Sequence, residues 1–169
     1  MPIEIKKFEK EKGANDSTYW LVFELLWRDY FRFMFKKRGT SYFMESGFKG
    51  VTQELAPNQD ELFEKWKNAE TGVPFIDANM KELNLTGFMS NRGRQNVASY
   101  LVKDLNVNWT YGAAYFEEKL IDYSPASNWG NWAYVAGVGN DPRENRHFNI
   151  EKQAADYDPK GLYVDLWLD

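Results

Sequence analysis

The sequence contains no cysteine and one histidine, His147. The absence of cysteine excludes disulfides and thiolate metal sites, and one histidine cannot by itself supply the ligands of a zinc centre. These absences argue against metal catalysis and against nucleophiles of the cysteine or serine–histidine type. We therefore expect no bound metal, and we interpret His147 as a solvent-facing or hydrogen-bonded structural residue.

Long hydrophobic runs are also absent. No apolar stretch approaches the roughly 20 residues that a membrane-spanning helix needs, and residues 1–7 lack the apolar core of a signal peptide. We therefore expect no membrane partner and an intracellular, cytoplasmic location. The net charge of −4 argues against generic coating of nucleic acid, although it leaves room for a local basic patch.

Aromatic residues, in contrast, are abundant. The chain has 7 Trp, 10 Tyr and 12 Phe among its 169 residues, which is 17% of the sequence. Such a fraction is typical of aromatic core packing and, in some proteins, of a stacking pocket. Residues 127–141, SNWGNWAYVAGVGND, place rings beside glycines in a composition that fits neither a linker nor an ordinary core helix.

Apolar residues recur at steps of three and four along most of the chain, which predicts an all-α fold in one helical unit spanning residues 1–169. The first predicted helix follows N-cap chemistry at residues 15–18 and ends at Gly39. Residues 40–57 are predicted to be an irregular connection. Further helices are predicted over 59–70, 74–87, from 90 or 91 to about 105, 110–121, within 127–141, 149–157 and 159–168.

Four residues share one face of the first predicted helix because their spacings are three and four: Glu24, Trp27, Arg28 and Phe31. The plain interpretation is an i, i+4 ion pair between Glu24 and Arg28 on an amphipathic surface. The functional interpretation is a polar cluster at the mouth of a pocket, with Trp27 as a stacking platform. Spacing alone leaves both interpretations open.

Two further polar segments draw attention. Residues 90–96, SNRGRQN, place Arg92 and Arg94 on different sides of a predicted helix start. Both arginines could be solvated, or one could face a phosphate or carboxylate while the other points inward. Asp122 ends an apolar helix, and spacing identifies no partner for it. The GVGND segment at 137–141 lacks the preceding strand and the spacing of a nucleotide-binding loop, so we predict no phosphate loop there.

Three long segments resemble the FAD-binding helical domain of the photolyase and cryptochrome family, and within that family the cryptochrome DASH branch. They are FELLWRDYFRF (23–33), the stretch from TGVPFIDANMKELN to VAGVGND (71–141) and RHFNIEKQAADYDPKGLYVDLWL (146–168). Together they cover nearly the whole chain. The resemblance implies a U-shaped FAD inside an all-helical bowl, which binds a pyrimidine dimer that is flipped out of DNA.

The resemblance assigns residues to the cofactor. Asn128 matches the asparagine that faces flavin N5, and Trp132 matches the ring nearest to the isoalloxazine. Arg94 and Asp122 match a buried ion pair that lies against the flavin, where charge tunes the favoured redox state. The resemblance also implies a chain of tryptophans that passes electrons to the excited flavin, with Trp132 proximal and Trp109 next.

One position departs from that electron-transfer pattern. Ala56 stands where the distal tryptophan of the family is expected, while Trp66 matches a different, structural tryptophan. We therefore expect the usual surface exit for the radical to be missing, so that photoreduction is slow or passes through another Tyr or Trp. Repair itself requires only a flavin that is already reduced.

On the DNA side, the resemblance implies a pocket for the flipped dimer lined by Glu24, Trp27, Asn91 and Arg92. Trp27 would stack on the flipped bases, a contact worth about 1–3 kcal/mol per base. Glu24 would form hydrogen bonds to the edges of the bases. The resemblance thus favours the pocket interpretation of this helix face.

Gln95 and Tyr134 stand where ordinary cyclobutane-dimer photolyases have a methionine and a second stacking tryptophan, as in the DASH branch. A more polar, less stacked pocket gains less energy from a flipped dimer, so lesions in single-stranded DNA are expected to be preferred. The predicted function is blue-light-driven repair of cyclobutane pyrimidine dimers. The alternatives are a cryptochrome-type photosensor or DNA-binding module without repair turnover, and an inactive fragment without FAD; Asn128 favours repair over signalling.

Family members also carry an N-terminal α/β domain that holds an antenna pigment, followed by helices with a Thr/Ser-rich segment around the FAD pyrophosphate. The sequence has no counterpart of either, so we expect a domain truncated at its N-terminal side, no antenna site and a doubtful affinity for FAD. The missing half could be a separate chain. Exposed pocket rings would otherwise favour self-association.

Overall fold

The computed structural model describes residues 2–141 and 147–169. Within these ranges every regular element is a helix and no strand occurs, which confirms the predicted all-α fold. Arg146, the first residue of the third matched segment, lies outside them. None of the helices described is long and apolar enough to cross a membrane. The α-helices of this part of the chain are α1 Pro2–Lys12, α2 Asp16–Arg38, α3 Gln59–Lys67, α4 Pro74–Thr86, α5 Asn91–Ser99, α6 Trp109–Lys119, α7 Pro125–Ala136, α8 Ile150–Tyr157 and α9 Leu162–Leu168.

Helix α2 begins with a capping box. Asn15 Oδ1 accepts a hydrogen bond from the Thr18 N–H, and Thr18 Oγ1 accepts one from the Asn15 N–H, each at 3.1 Å. This exchange satisfies two backbone donors that a helix start otherwise leaves unpaired. Three basic residues fill the last turn, and Gly39 follows with φ at 56°. Both predicted ends of this helix are confirmed.

Helix α1 is not predicted by the apolar pattern, because its sequence is dominated by charged residues. Ile5 is its buried apolar residue and packs the helix beside α2. Two exposed ion pairs at i, i+3 spacing support it: Glu4–Lys7 at 3.0 Å and Lys6–Glu9 at 2.7 Å. Such pairs stabilise a helix by a few tenths of a kcal/mol each, so α1 depends on its packing as well.

Helix α5 begins after Ser90, which caps it. Ser90 Oγ accepts a hydrogen bond from the Gly93 N–H at 3.0 Å, so Ser90 is the N-cap and Asn91 is the first helical residue. The helix continues as a π-helical stretch over Tyr100–Asp104. The helix predicted from 90 or 91 to about 105 is therefore present, with a widened last turn.

Two predicted helices are shorter than expected. Helix α3 ends at Lys67 instead of residue 70, because Ala69 adopts the left-handed conformation with φ at 59°. Helix α9 begins at Leu162 instead of residue 159, because the Asp158 carboxylate accepts hydrogen bonds from the backbone N–H groups of the first turn. The predicted irregular connection contains one 3₁₀ turn, Gly39–Phe43.

Helix α7 lies at the centre and packs against α2, α5 and α6. Gly130 makes the contact with α2 possible, because a Cβ at this position would collide with the Phe31 ring and the Tyr42 hydroxyl. The Tyr42 hydroxyl also donates to the Ala126 carbonyl at 3.2 Å, which joins the 3₁₀ turn to α7. The helices that carry the predicted site residues are thus brought together around α7.

Candidate functional site

A cavity of about 380 Å³ lies between α2, α5, α6 and α7, and we call it the first cavity. Its volume falls in the range of ligand pockets, roughly 300–1,000 Å³. Four residues predicted to bind the cofactor line it: Arg94, Asp122, Asn128 and Trp132. They share one hollow, although their roles remain predictions.

The Trp132 ring forms a fixed part of the cavity wall. It is buried, and its centroid lies 5.1 Å from the Phe116 ring and 6.1 Å from the Trp66 ring, with near-perpendicular planes in both pairs. Gly112 of α6 packs directly against it, because a Cβ there would collide with the indole. A large aromatic side chain held on several sides in this way has little rotational freedom.

Asn128 joins α7 to α6 while it faces the first cavity. Its Nδ2 donates a hydrogen bond to the Ala113 carbonyl at 2.8 Å. A side-chain amide carries two donor hydrogens and one acceptor oxygen. Since one Nδ2 hydrogen is engaged by the fold, Oδ1 and the second Nδ2 hydrogen are the groups that this amide can offer to a ligand.

Arg94 and Asp122 form an ion pair at the edge of the first cavity. One Arg94 terminal nitrogen, Nη2, lies 3.0 Å from both carboxylate oxygens of Asp122, and Nε donates to the Met89 carbonyl at 2.9 Å. The Asp122 side chain is 56% exposed and that of Arg94 26%. The expectation of a buried pair is therefore wrong for this chain, because Asp122 stands in an exposed turn after α6.

A second cavity of about 330 Å³ adjoins the first and contains Glu24 and Trp27 in its wall. The Trp27 and Tyr134 rings meet there with centroids 6.0 Å apart and planes at 75°. Because the two cavities share much of their wall, a ligand in one would lie next to a ligand in the other. The residues that line both are Arg28, Asn91, Gln95, Ser127, Asn131 and Tyr134.

The predicted ion pair between Glu24 and Arg28 is not formed. Arg28 instead donates from Nε and Nη2 to Asp29 Oδ1 at 3.3 Å, and Asp29 also lies 3.6 Å from Arg32. Asp29 therefore contacts both arginines, and its spacing of three from Arg32 is the favourable one on a helix. Glu24 is left facing the second cavity.

Arg32 lines the first cavity and was not singled out from the sequence. The signal that could have found it is its spacing of four from Arg28, which places the two guanidinium groups on one helix face. Together they make the α2 side of the cavity basic, a charge that suits an anionic ligand.

Two predicted site residues lie outside the walls of both cavities. Arg92 donates from Nη1 to Gln95 Oε1 at 2.9 Å, and its guanidinium stands 5.0 Å from the centre of the Tyr157 ring. Trp109 is fully buried and donates from Nε1 to the Glu45 carbonyl at 2.8 Å. Their predicted contacts with DNA and with the electron path remain predictions.

Behind the first cavity lies a group that the sequence does not reveal. The Trp129 indole donates to the Glu117 carboxylate at 2.9 Å. Tyr123, which lines the cavity, is close to the same carboxylate; burial, and secondly a hydrogen bond to Glu117, raise the pKa of Tyr123 to about 12. Spacing gives no hint of this group because its members belong to separate helices and a connecting turn.

His147 stands apart from both cavities. Its Nε2 lies 3.0 and 3.1 Å from the two carboxylate oxygens of Asp104, in the π-helical stretch that follows α5. The contact ties the segment before α8 to the end of α5. The interpretation of His147 as a hydrogen-bonded structural residue is confirmed.

Fold and site together define an all-helical domain with an aromatic-walled, basic-edged cavity. Residues 20–169 match the family described as FAD binding domain of DNA photolyase. Cryptochrome DASH proteins from Arabidopsis thaliana, Synechocystis and Xenopus laevis are 58%, 55% and 58% identical to the chain over 98% of its length. The chain belongs to the photolyase and cryptochrome family, as an FAD-binding helical domain similar to that of cryptochrome DASH.

Solved structures agree with this assignment. The cryptochrome from Synechocystis superposes with a TM-score of 0.92 at 55% identity, covering 98% of this chain and 34% of its own. An archaeal photolyase from Sulfolobus tokodaii, solved with two FAD molecules, superposes with a TM-score of 0.82 at 34% identity, over 98% of this chain and 37% of its own. The shared fold therefore extends from DASH cryptochromes to photolyases.

The chain matches only part of the length of each relative. The chain spans 29%, 34% and 31% of the lengths of the Arabidopsis, Synechocystis and Xenopus proteins. The names of the Arabidopsis and Oryza sativa relatives include chloroplastic/mitochondrial. A cytoplasmic location of this chain remains a prediction.

The residues present fit the ring end of a flavin. The wall supplies one immobile indole, Trp132, an amide oxygen from Asn128 and a guanidinium from Arg94, all on the first cavity. A planar ring system with polar edges needs this combination of flat apolar wall and a few fixed polar groups. Arg28 and Arg32 add positive charge at the same cavity, which suits the anionic part of such a cofactor.

Proposed function

We propose that the chain forms the catalytic core of a blue-light-driven enzyme that repairs cyclobutane pyrimidine dimers, preferably in single-stranded DNA. The observation that carries the proposal is the pair of adjoining cavities with a common wall. The first cavity has the groups that suit a flavin ring, and the second has the groups that suit a flipped dinucleotide. A cofactor and a lesion placed in them would be neighbours.

In this proposal, reduced FAD, once bound and excited by blue light, supplies an electron to the dimer and takes it back after the ring has opened. The protein positions the two partners. Trp132 would form the inner wall against a bound flavin ring, and the Asn128 amide would supply a hydrogen bond to its edge. Arg94, held by Asp122 and by the Met89 carbonyl, places a fixed positive charge beside the ring.

In the second cavity, Trp27 offers an indole face to the flipped bases, and Glu24 offers a carboxylate to their edges. Tyr134 contacts Trp27 edge to face. Side-chain amides add polar groups to the wall, and they are those of Asn91, Gln95 and Asn131. Flipping a base out of a duplex costs a few kcal/mol of unpairing energy, and a base that is already unstacked in a single strand does not require it. The preference for single-stranded DNA follows from this difference.

The proposed partners of the chain follow from its coverage of the relatives. Since the matched DASH proteins are about three times as long, we propose that further polypeptide completes the FAD site, either in the same chain or as a separate one. An N-terminal α/β antenna domain would then belong to that further polypeptide. Self-association of the isolated domain is the competing possibility.

The test is anaerobic repair under blue light. The purified chain is loaded with FAD and reduced, then given a dimer-containing oligonucleotide as a single strand and as a duplex. We expect faster repair of the single strand. Glu24→Gln should lower the repair rate by about tenfold at unchanged flavin absorbance, because hydrogen bonds to a charged group are worth about 1.5–3 kcal/mol. Glu61→Gln, on exposed helix α3, is the matched control.

The outcomes separate the alternatives. Equal repair of duplex and single strand would remove the proposed preference. Retained flavin that responds to light without any repair would favour the photosensor. Failure to retain flavin would favour the inactive fragment.

A further inference from the structure

The wall of the first cavity continues inward as a row of indoles. Trp132 packs on Gly112 of α6, and Trp109 lies one turn earlier on the same helix. Trp109 in turn contacts Trp129, with ring centroids 5.7 Å apart and planes at 78°. The one-turn spacing of Trp109 from the glycine under Trp132, and the contact of Trp109 with Trp129, extend the row to a third indole that neither the motif spacing nor the family resemblance points to.

Trp129 differs from the other buried tryptophans in its hydrogen-bond partner. Its Nε1–H donates to the Glu117 carboxylate at 2.9 Å, whereas those of Trp66 and Trp109 donate to backbone carbonyls. A tryptophan that loses an electron becomes a cation with an acidic N–H. A carboxylate can stabilise that charge and accept the proton, while a carbonyl oxygen can do only the first.

The location of the pair fits the end of a path. Trp129 is 9% exposed, and Glu117 is at the surface. Trp66 also contacts Trp132, but it is fully buried and has no carboxylate on its indole. A positive charge on Trp66 would therefore be desolvated without a counter-charge, which is unfavourable. A positive charge is therefore better stabilised on Trp129 than on Trp66.

We propose that Trp129, with Glu117 as its proton acceptor, is the terminal electron donor of the chain. Trp132 loses one electron to the blue-light-excited, oxidised flavin, Trp109 refills Trp132, and Trp129 refills Trp109. The Trp129 Nε1–H proton passes to the Glu117 carboxylate, which leaves a neutral Trp129 radical and a neutral carboxylic acid. One electron reaches the cofactor. A thiol in solution then donates a hydrogen atom to the Trp129 radical and becomes a thiyl radical, while the Glu117 carboxylic acid releases its proton to solvent.

The inference rests on the proposed function for its oxidant and accounts for one departure from the family pattern. The side chain of Ala56 cannot be oxidised, so the position of the family's distal tryptophan cannot donate an electron in this chain. Trp129, on helix α7 and in contact with Trp109, supplies a replacement. By accepting the proton, the Glu117 carboxylate would keep the radical on Trp129.

A first experiment needs no cofactor. The chain carries Trp20→Phe, Trp27→Phe and Trp167→Phe, so that the tryptophans left are at most 9% exposed. It is then oxidised by a flash-generated ruthenium(III) trisbipyridine complex. Transient absorption and freeze-quench electron paramagnetic resonance identify the radical. We expect a long-lived, deprotonated tryptophan radical.

Variants made in that background assign the radical. Trp129→Phe should abolish it. Glu117→Gln should leave a protonated radical whose lifetime is shorter by about tenfold, since a hydrogen bond to a charged group is worth about that factor. Trp66→Phe should change nothing. Glu118→Gln is the matched control, because that neighbouring carboxylate pairs with Lys119 instead of an indole.

A second experiment uses the same variants loaded with FAD and excited by a blue flash. Trp129→Phe and Glu117→Gln should each lower the yield of stable flavin reduction. If the chain retains no flavin, the proposed function fails and this second experiment gives no result. The first experiment still decides the inference, because it needs no flavin. An unchanged deprotonated radical in Trp129→Phe would overturn the inference, whatever the flavin does.

Discussion

Asn128 and Ala113 tie the cavity wall together, since the Asn128 side-chain amide donates to the Ala113 carbonyl at 2.8 Å. This bond joins α7 to α6 at a residue that lines the first cavity. Stability and cofactor contact therefore depend on the same side chain, and the two roles can be separated by substitution.

Asn128→Asp should destabilise the fold. A carboxylate in place of the amide cannot donate to the Ala113 carbonyl and leaves two acceptors facing each other. We expect the free energy of unfolding to fall by about 1–3 kcal/mol, measured by urea denaturation at pH 7. Asn131→Ala is the control: it removes a local bond to the Ser127 carbonyl on an exposed helix face, and its effect should stay within about 0.5 kcal/mol. Equal effects of the two variants would contradict the tying role of Asn128.

The ion pair of Arg94 and Asp122 should contribute little to stability. Because the Asp122 side chain is 56% exposed, Asp122→Asn should lower the free energy of unfolding by at most about 1 kcal/mol. The loss should shrink in high salt, since screening weakens exposed pairs. Urea denaturation at low and high sodium chloride measures both. A loss of several kcal/mol that does not depend on salt would mean that the pair behaves as a buried one.

Asn96 should be replaceable with a gain in stability. It is fully buried on α5, and neither its Oδ1 nor its Nδ2 has a hydrogen-bond partner within residues 2–141 and 147–169. An unsatisfied buried polar group costs about 1–3 kcal/mol, so Asn96→Leu should raise the free energy of unfolding by up to that amount. Thermal and urea unfolding measure it. Asn79→Leu is the matched control, because Asn79 is buried but donates to the Phe75 carbonyl at 2.7 Å; this variant should lose stability. A loss in Asn96→Leu would contradict the assignment.

Much of the fold can be predicted from the sequence because its signals are local. The capping residues Asn15 and Thr18, and the glycines that end α2 and α4, act within one turn of the helix that they delimit. Helix α1 escapes prediction because charged residues dominate its sequence, and Ile5 is the apolar residue that it buries. Its remaining support comes from ion pairs between charged residues that also occur in unstructured segments.

The candidate site is predicted less completely. Residues on the matched motifs, such as Asn128 and Trp132, do meet in one cavity. Of the two interpretations left open for the face with Glu24 and Arg28, the one with an ion pair between them is wrong, because Arg28 contacts Asp29 instead. The contact of Trp129 with Glu117 joins two helices, and no spacing rule within either helix can reveal it.

The stability of the fold should fall at high pH. Burial, and then the hydrogen bond to Glu82, raise the pKa of Tyr163 above its ordinary value of 10.0, and the pKa of Tyr123 is raised to about 12. The unfolded chain therefore loses these protons first, so stability is intact below pH 10 and is lost as pH rises through the folded-state pKa values. Urea denaturation between pH 9 and pH 12 measures the decline.

Tyr163→Phe should make that decline shallower, because its hydroxyl donates to Glu82 at 2.7 Å only while it keeps its proton. The substitution removes the hydrogen bond at neutral pH as well, so the variant starts from a lower stability. Tyr19→Phe, at an exposed position of α2, is the matched control. A slope in Tyr163→Phe equal to that of the unsubstituted chain would show that other tyrosines carry the effect.

The isolated chain should self-associate through an apolar stripe on α2. Its five members, at alternating steps of four and three, are Tyr19, Phe23, Leu26, Tyr30 and Phe33. Leu26 and Phe33 are 62% and 73% exposed, and such spacing forms the seam through which two helices pack.

Replacing both Leu26 and Phe33 by Glu should weaken association by about tenfold or more, because each exposed side chain loses roughly 1.5–3 kcal/mol of possible burial. Sedimentation velocity over a range of concentrations measures the dissociation constant. Leu85→Glu, on the exposed face of α4, is the control and should leave it unchanged. A chain that stays monomeric at every concentration would contradict the role of the stripe, whereas equal weakening by Leu85→Glu would show that association depends on surface apolarity in general.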